Sequence, residues 1–202
     1  MQFMKAALAS LSIVFASATA FAPAATAQGT TVVVIDQAKI MRDSAGGQDI
    51  RSKVSAIQQT ILSELQPTQN ELQSQSEALQ AKTANMTREA MTQDQELISE
   101  AQDLQRKSQA FNERQQLAAA GLQKTENMAW RKFLTAMQPV LQEVVTEKGA
   151  DVVLDSSSVI YSAPAINATD SVIMKMDAKM PTVEVVRQQV TREELQQAQQ
   201  QQ

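Results

Sequence analysis

The stretch Glu147-Lys148-Gly149-Ala150-Asp151-Val152-Val153-Leu154-Asp155 carries the decisive change of pattern in this chain. Upstream of it, apolar residues recur every three or four positions, the spacing of one helix face. At Val152 they become adjacent and β-branched, as a buried strand prefers. Lys148 places a cation in the last helical turn, and Gly149 is free to adopt a left-handed cap. A long helix ends here and feeds a strand.

Upstream, the apolar weight is carried by Trp130, Phe133, Leu134, Met137, Val140, Leu141, Val144 and Val145. Further back, Leu97, Ala101, Leu104, Ser108, Phe111, Gln115, Ala118 and Leu122 alternate spacings of four and three, a heptad-like seam thinned by Ala, Ser and Gln. Pro139 is expected to bend this helix. Around Lys82 to Met91 the pattern loses register. Thr87, with Glu89 in the first turn, competes as a helix start with the capping box Thr92/Gln95, and both put a hairpin tip at 82–92. Before the tip, Ile50, Val54, Ile57, Ile61 and Leu65 form one stripe, continued weakly by Leu72 and Leu79. Pro67 is expected to kink it near Glu64. Two helices of about 40 and 55 residues would reach about 60 to 80 Å at ~1.5 Å per residue.

Earlier still, Thr31-Val32-Val33-Val34-Ile35-Asp36 reads as a strand, Gln37 to Asp43 as a helical turn, and Ser44-Ala45-Gly46-Gly47 as a break before a helix near Gln48. Downstream of the opening stretch, Val159-Ile160-Tyr161-Ser162 is expected to return as a hairpin strand across the Asp155-Ser156-Ser157-Ser158 turn. After Pro164, Thr169 or Asp170 would cap a short helix carrying Val172, Ile173 and Met176. Residues 181–202 are Gln-rich and are expected to be disordered. The fold class is α+β, mostly α. A small β body, split between 28–47 and 149–180, carries a helical hairpin arm over 48–148.

The N-terminus reads as an export signal over 1–27. Lys5 precedes an uncharged, Ala-rich run from Ala6 to Ala22, and Ala25-Thr26-Ala27 is an A-x-A cleavage site. The run is shorter and less apolar than the roughly 20 residues of a membrane span. The expected location is the periplasm.

Composition narrows function. There are no His and no Cys residues. That removes Ser-His-Asp triads, Cys nucleophiles, His general bases, disulfides and ordinary zinc sites. No metal or cofactor is expected, and no G-x-x-x-x-G-K-[ST] loop cradles a nucleotide. The formal net charge of −4 argues against nucleic-acid binding, which needs a basic face. With aromatics at 3%, one chain can bury only a thin core, so assembly between copies is expected.

The ordering resembles the Skp/OmpH family of periplasmic chaperones. Val33-Val34-Ile35-Asp36 followed by Ile40 looks like the family's opening strand and first turn. Glu147 to Asp155 looks like its return into the sheet, and Val159-Ile160-Tyr161 with Asn167-Ala168-Thr169-Asp170-Ser171-Val172-Ile173 like its last strand and final helix. The likeness covers roughly Thr31 to Met180.

The resemblance implies a homotrimer whose β segments form a barrel-like body and whose three arms enclose a cavity. It implies an ATP-independent holdase for unfolded outer-membrane β-barrel proteins, with no enzymatic activity. Peripheral contact with the membrane surface is left open. Well-known members are strongly basic. Here Asp43 to Lys148 holds 14 Asp/Glu against 11 Lys/Arg, a balance of −3, so capture by charge is in question. No convincing counterpart of the lipopolysaccharide-binding cluster proposed in some members can be placed in this sequence.

Candidate client contacts lie on the arm. Met86 and Met91, with Lys82 and Arg88, could form an adaptable grip, because the flexible thioether packs against varied apolar shapes; they could equally cap the hairpin's own seam. Arg106, Lys107 and Arg114 could face the cavity, or form a solvated face balanced by Glu100, Asp103 and Glu113. A periplasmic coiled-coil adaptor or spacer is the alternative function.

Overall fold

The computed structural model describes residues 29–200, so the expected export signal lies outside the described residues. Strand β1 (Val32–Ile35) leads into helix α1 (Gln37–Asp43), followed by α2 (Ala45–Thr83), α3 (Arg88–Gln93) and α4 (Gln95–Lys148). Strand β2 (Val152–Asp155), two 3-10 turns (Ser156–Ser158 and Pro164–Ile166), α5 (Thr169–Lys179) and α6 (Arg192–Gln200) complete the chain. The architecture is mostly α with one small sheet.

β1 and β2 pair in parallel, Val32 opposite Val152 through Ile35 opposite Asp155. Parallel neighbours need a long crossover, because the chain must return to the end from which it left. Here the crossover is the whole helical arm. Gly149, at φ 59° and ψ 36°, ends α4 in the left-handed region, where a side chain would be strained. Its N–H and that of Ala150 bond back to the last turn, and Asp151 then donates to Thr31 O at 2.8 Å to start the sheet.

The core lies where the arm is rooted. Ile40, Ile50, Phe133, Met137, Val140, Val144, Val172 and Met176 are buried together under β1. Trp130 meets Phe133 edge to face, with ring centroids 5.8 Å apart and planes at 87°. A second, smaller cluster, Ile61, Leu65 and Phe111, holds the two arm helices together farther out. The slender arm follows from this uneven distribution of apolar residues.

The structure corrects several expectations. The break falls at Ser44 alone and the arm helix starts at Ala45 rather than near Gln48: Ser44 ends α1 and caps α2, its Oγ accepting from Gly47 N at 3.2 Å. Gly46 and Gly47 form the first turn and are buried, with no room for a side chain: a Cβ on Gly47 would lie 1.9 Å from Met41 O. The expected hairpin strand at Val159-Ile160-Tyr161 does not form. Asp155 instead caps a 3-10 turn by accepting from Ser157 N at 2.8 Å, and the free edge of β2 finds no partner among the described residues. The other side of β1 is taken by Asn167 and by Ala168, which donates to Val34 O at 2.8 Å. Thr169 and Asp170 do not cap α5. Thr169 Oγ1 accepts from Asp36 N at 2.9 Å, and Asn167 Oδ1 accepts from Thr169 N.

The largest correction concerns the C-terminal segment. From Pro181 to Val190 it lies along the arm, and α6 follows. Val183 is buried in the core rather than disordered, and Asp49, Lys53 and Thr125 on the arm bind the backbone of the segment.

Candidate binding surface of the arm

The arm's tip is set by short polar residues. Thr83 Oγ1 donates to Leu79 O at 2.9 Å as α2 ends. Thr87 caps only the short α3, its Oγ1 accepting from Ala90 N at 3.3 Å. Neither Thr87 nor the Thr92/Gln95 box starts the long helix. Asp94 does, with Oδ1 accepting from Glu96 N at 3.1 Å and Leu97 N at 3.0 Å. A carboxylate satisfies two free N–H groups and complements the helix dipole better than a hydroxyl. Thr92 instead donates to Glu89 O.

Of the seven sequence-derived candidates, three are tied into the arm. Lys82 reaches across to Glu100, whose carboxylate holds its pKa above the usual lysine value. Lys107 spans the helices to Glu71 at 3.5 Å and also lies 3.6 Å from Asp103. Arg106 donates to Asp103 at 2.8 Å. All are exposed pairs, of a kind typically worth about 0–1 kcal/mol. Arg88 is exposed, and among the described residues it makes no ion pair. Met91 is half-buried. Met86 is also half-buried and lines a hollow of about 300 Å³ with Lys82, Asp94, Glu96, Leu97 and Glu100. Arg114 sits farther down the arm, at a hollow bordered by Ile61, Glu64, Leu65 and Ala118. The seven are spread along the arm and do not converge on one cluster.

Sequence reasoning missed a second surface altogether, the seat of the C-terminal strap. Asp49 Oδ2 accepts from Val183 N at 2.8 Å, and Lys53 Nζ donates to Val183 O at 2.8 Å and to Asp49 at 2.7 Å. Thr125 Oγ1, fully buried, accepts from Gln188 N at 2.8 Å while donating to Gly121 O at 2.7 Å. Gly121 is itself a notch, since a Cβ there would meet Gln188 O at 2.7 Å. Outside this backbone contact, Arg187 grips Glu64, Lys132 pairs with Glu184 at 2.9 Å, Lys124 with Glu194 at 3.0 Å, and Arg192 with Glu113. The available signal was the run Val183-Glu184-Val185-Val186 just after Pro181.

The β body carries a third surface. Val152 and Leu154 on β2 are exposed, as are Ile166 and Met174, and Ile160 and Tyr161 stand out at 107% and 81% of full exposure. Among the described residues, no group of three or more acidic side chains could hold a metal ion, and no helix is long and apolar enough to cross a membrane.

A solved structure supports the fold. A candidate outer membrane chaperone (OmpH-like) from Caulobacter crescentus CB15 superposes with a TM-score of 0.69 at 24% identity, covering 80% of this chain and 92% of that one. No curated protein gives a significant match. The profile of the OmpH-like outer membrane protein family matches residues 31–176, from β1 through the arm into α5 but not the strap. The chain belongs to the OmpH-like outer membrane protein family.

Proposed function

We propose that this protein is an ATP-independent periplasmic chaperone that holds unfolded outer-membrane β-barrel proteins between helical arms. Family membership over 31–176 is the observation that carries this reading. The fold neighbour, a candidate outer membrane chaperone, points the same way.

Physical features of the chain support the reading. The arm is far longer than its apolar residues can pack into a globule, so most of its surface is left for other molecules. The β body has an unpaired edge at β2 flanked by Val152, Leu154, Ile160 and Tyr161. Open edges and large apolar patches attract partners, and copies of the same chain satisfy both needs by symmetry. A homotrimer would close the edge and bring three arms around one cavity. Residues Met86, Met91 and Arg88 at the tip, together with Arg114, would then offer soft and cationic contacts. Lys82, Arg106 and Lys107 would contribute by exchanging weak internal pairs for client carboxylates.

The test is aggregation of a porin diluted from urea into the purified protein. Suppression is expected near one trimer per porin. No suppression at excess trimer, or a pull-down that recovers a few folded proteins instead of many unfolded precursors, would favour a coiled-coil adaptor.

A further inference from the structure

The strap lies beyond the part of the chain that the family profile matches, yet the arm is shaped to receive it. Three of its backbone groups are held by arm side chains: Val183 N–H by Asp49, Val183 O by Lys53, and Gln188 N–H by Thr125. Recognition of this sort reads backbone and tolerates many sequences. Gly121 removes the side chain that would block the passing carbonyl of Gln188.

Burial along the strap alternates roughly as it does in an extended chain lying on a surface. Val183 is buried, Val185, Gln188 and Val190 are half-buried, and Glu184, Val186, Arg187 and Gln189 face outward. The alternation slips once, between Val186 and Arg187. Membrane β-strands likewise turn successive side chains to opposite sides, one side apolar, and so offer the seat the same spacing of inward side chains. The seat therefore supplies backbone partners and an apolar socket to a segment of alternating character.

We infer that the seat beneath Val183–Val190 is a binding groove for extended polypeptide, occupied in the free protein by the chain's own strap and opened when an unfolded β-barrel segment displaces it. This rests on the chaperone reading and adds a site and a gate to it. Occupation in cis keeps the apolar socket covered while no client is present. It also lowers apparent client affinity by the fraction of molecules in which the strap is closed.

The experiment uses the full chain. Hydrogen–deuterium exchange is followed over the peptide spanning Val183–Val190, with and without a saturating urea-unfolded porin. Client is expected to speed exchange in the strap while the groove residues around Thr125 stay protected. Gly121→Leu should detach the strap without harming α4, since leucine is the better helix former. Because the leucine fills the groove against any passing backbone, this variant should also bind the same porin more weakly. Arg187→Glu leaves the groove intact and should free the strap through repulsion from Glu64, so it should bind the same porin about threefold or more tightly, and Glu64→Arg in the same molecule should restore the closed strap. Unchanged strap exchange with bound porin, or equal porin affinity in all variants, would overturn the groove while leaving the chaperone reading standing. A chain that binds no unfolded porin at all would overturn both.

Discussion

Arg187 and Glu64 form two parallel hydrogen bonds, Nη1 to Oε1 at 2.8 Å and Nη2 to Oε2 at 2.9 Å, between residues 123 positions apart. The pair ties the C-terminal strap to the first arm helix, while Thr125 and Lys124 tie it to the second. A planar guanidinium against a carboxylate fixes register as well as proximity. The strap is thus bound to both limbs of the hairpin.

This binding should weaken in acid. Four carboxylates hold the strap, and each has its pKa below the usual range. Asp49 is lowered by the Lys53 hydrogen bond and then by Val183 N–H; Glu64 by Arg187; Glu184 by Lys132; Glu194 by Thr191 N–H and then by Lys124. Where the lowering comes from a partner across the seat, as for Glu64 and Glu184 and in part for Asp49 and Glu194, the carboxylate stabilises docking above its free pKa, about 3.9 for Asp and 4.3 for Glu. That contribution is lost as pH falls through the docked value. The strap should stay closed at neutral pH and open below about pH 4. The chain has no Cys, so spin labels placed on cysteines introduced at exposed Leu62 and Val186 would be the only ones present. Their separation should lengthen on acidification; a constant distance down to pH 3 would contradict the mechanism.

Thr125→Val tests the buried polar contact. Valine keeps the volume but removes the acceptor for Gln188 N–H, leaving that donor unsatisfied where the strap crosses Gly121. A lost buried partner costs about 1–3 kcal/mol. Because the strap can lift away, the cost should appear as faster amide exchange from Val183 to Val190 and leave the urea midpoint of the arm nearly unchanged. Thr125→Ser should retain most of the protection.

Phe133→Ala should act globally. Phe133 is fully buried where α4, the first turn of α2 and the β body meet, against Gly46 and Trp130. Truncating such a ring typically costs about 3–5 kcal/mol. Urea denaturation followed by circular dichroism should show that loss. A smaller change would mean that Trp130 swings in to fill the space.

The local signals were strong wherever one segment settles its own structure. The β-branched run at Val32–Ile35, the helical turn Gln37–Asp43 and the Lys148-Gly149 stop follow from propensity, periodicity and a left-handed cap, none of which needs a distant partner. Thr87 and Thr92 were plausible helix starts, but Asp94 offered the better acceptor to the long helix. The strap was hidden because its partners lie 134 residues away at Asp49 and 63 away at Thr125, while the glutamines around it suggested disorder. The candidate arm residues were found by composition, which cannot reveal that Lys82 is engaged by Glu100 and Lys107 by Glu71. Val159-Ile160-Tyr161 looked like a strand because it has strand chemistry, yet the 3-10 turn capped by Asp155 replaces the hairpin turn that would return it to the free edge of β2.

That segment yields the sharpest test of assembly. Ile160 and Tyr161 are almost wholly in water in the single chain, so replacing Ile160 by Asp removes no intrachain packing and should leave the protomer folded. If three copies close the β2 edge, the same aspartate must enter an apolar interface beside Val152 and Leu154. An unpaired charge in such a place costs several kcal/mol per copy, enough to dissociate the complex at micromolar concentration. Light scattering should therefore give a trimer for the native mature chain and a monomer for Ile160→Asp, with matching helical circular dichroism. The monomer should also lose suppression of porin aggregation, since one arm encloses no cavity. A native chain that scatters as a monomer would remove the basis for the cavity, and an Ile160→Asp variant that stays trimeric would place the interface elsewhere on the body.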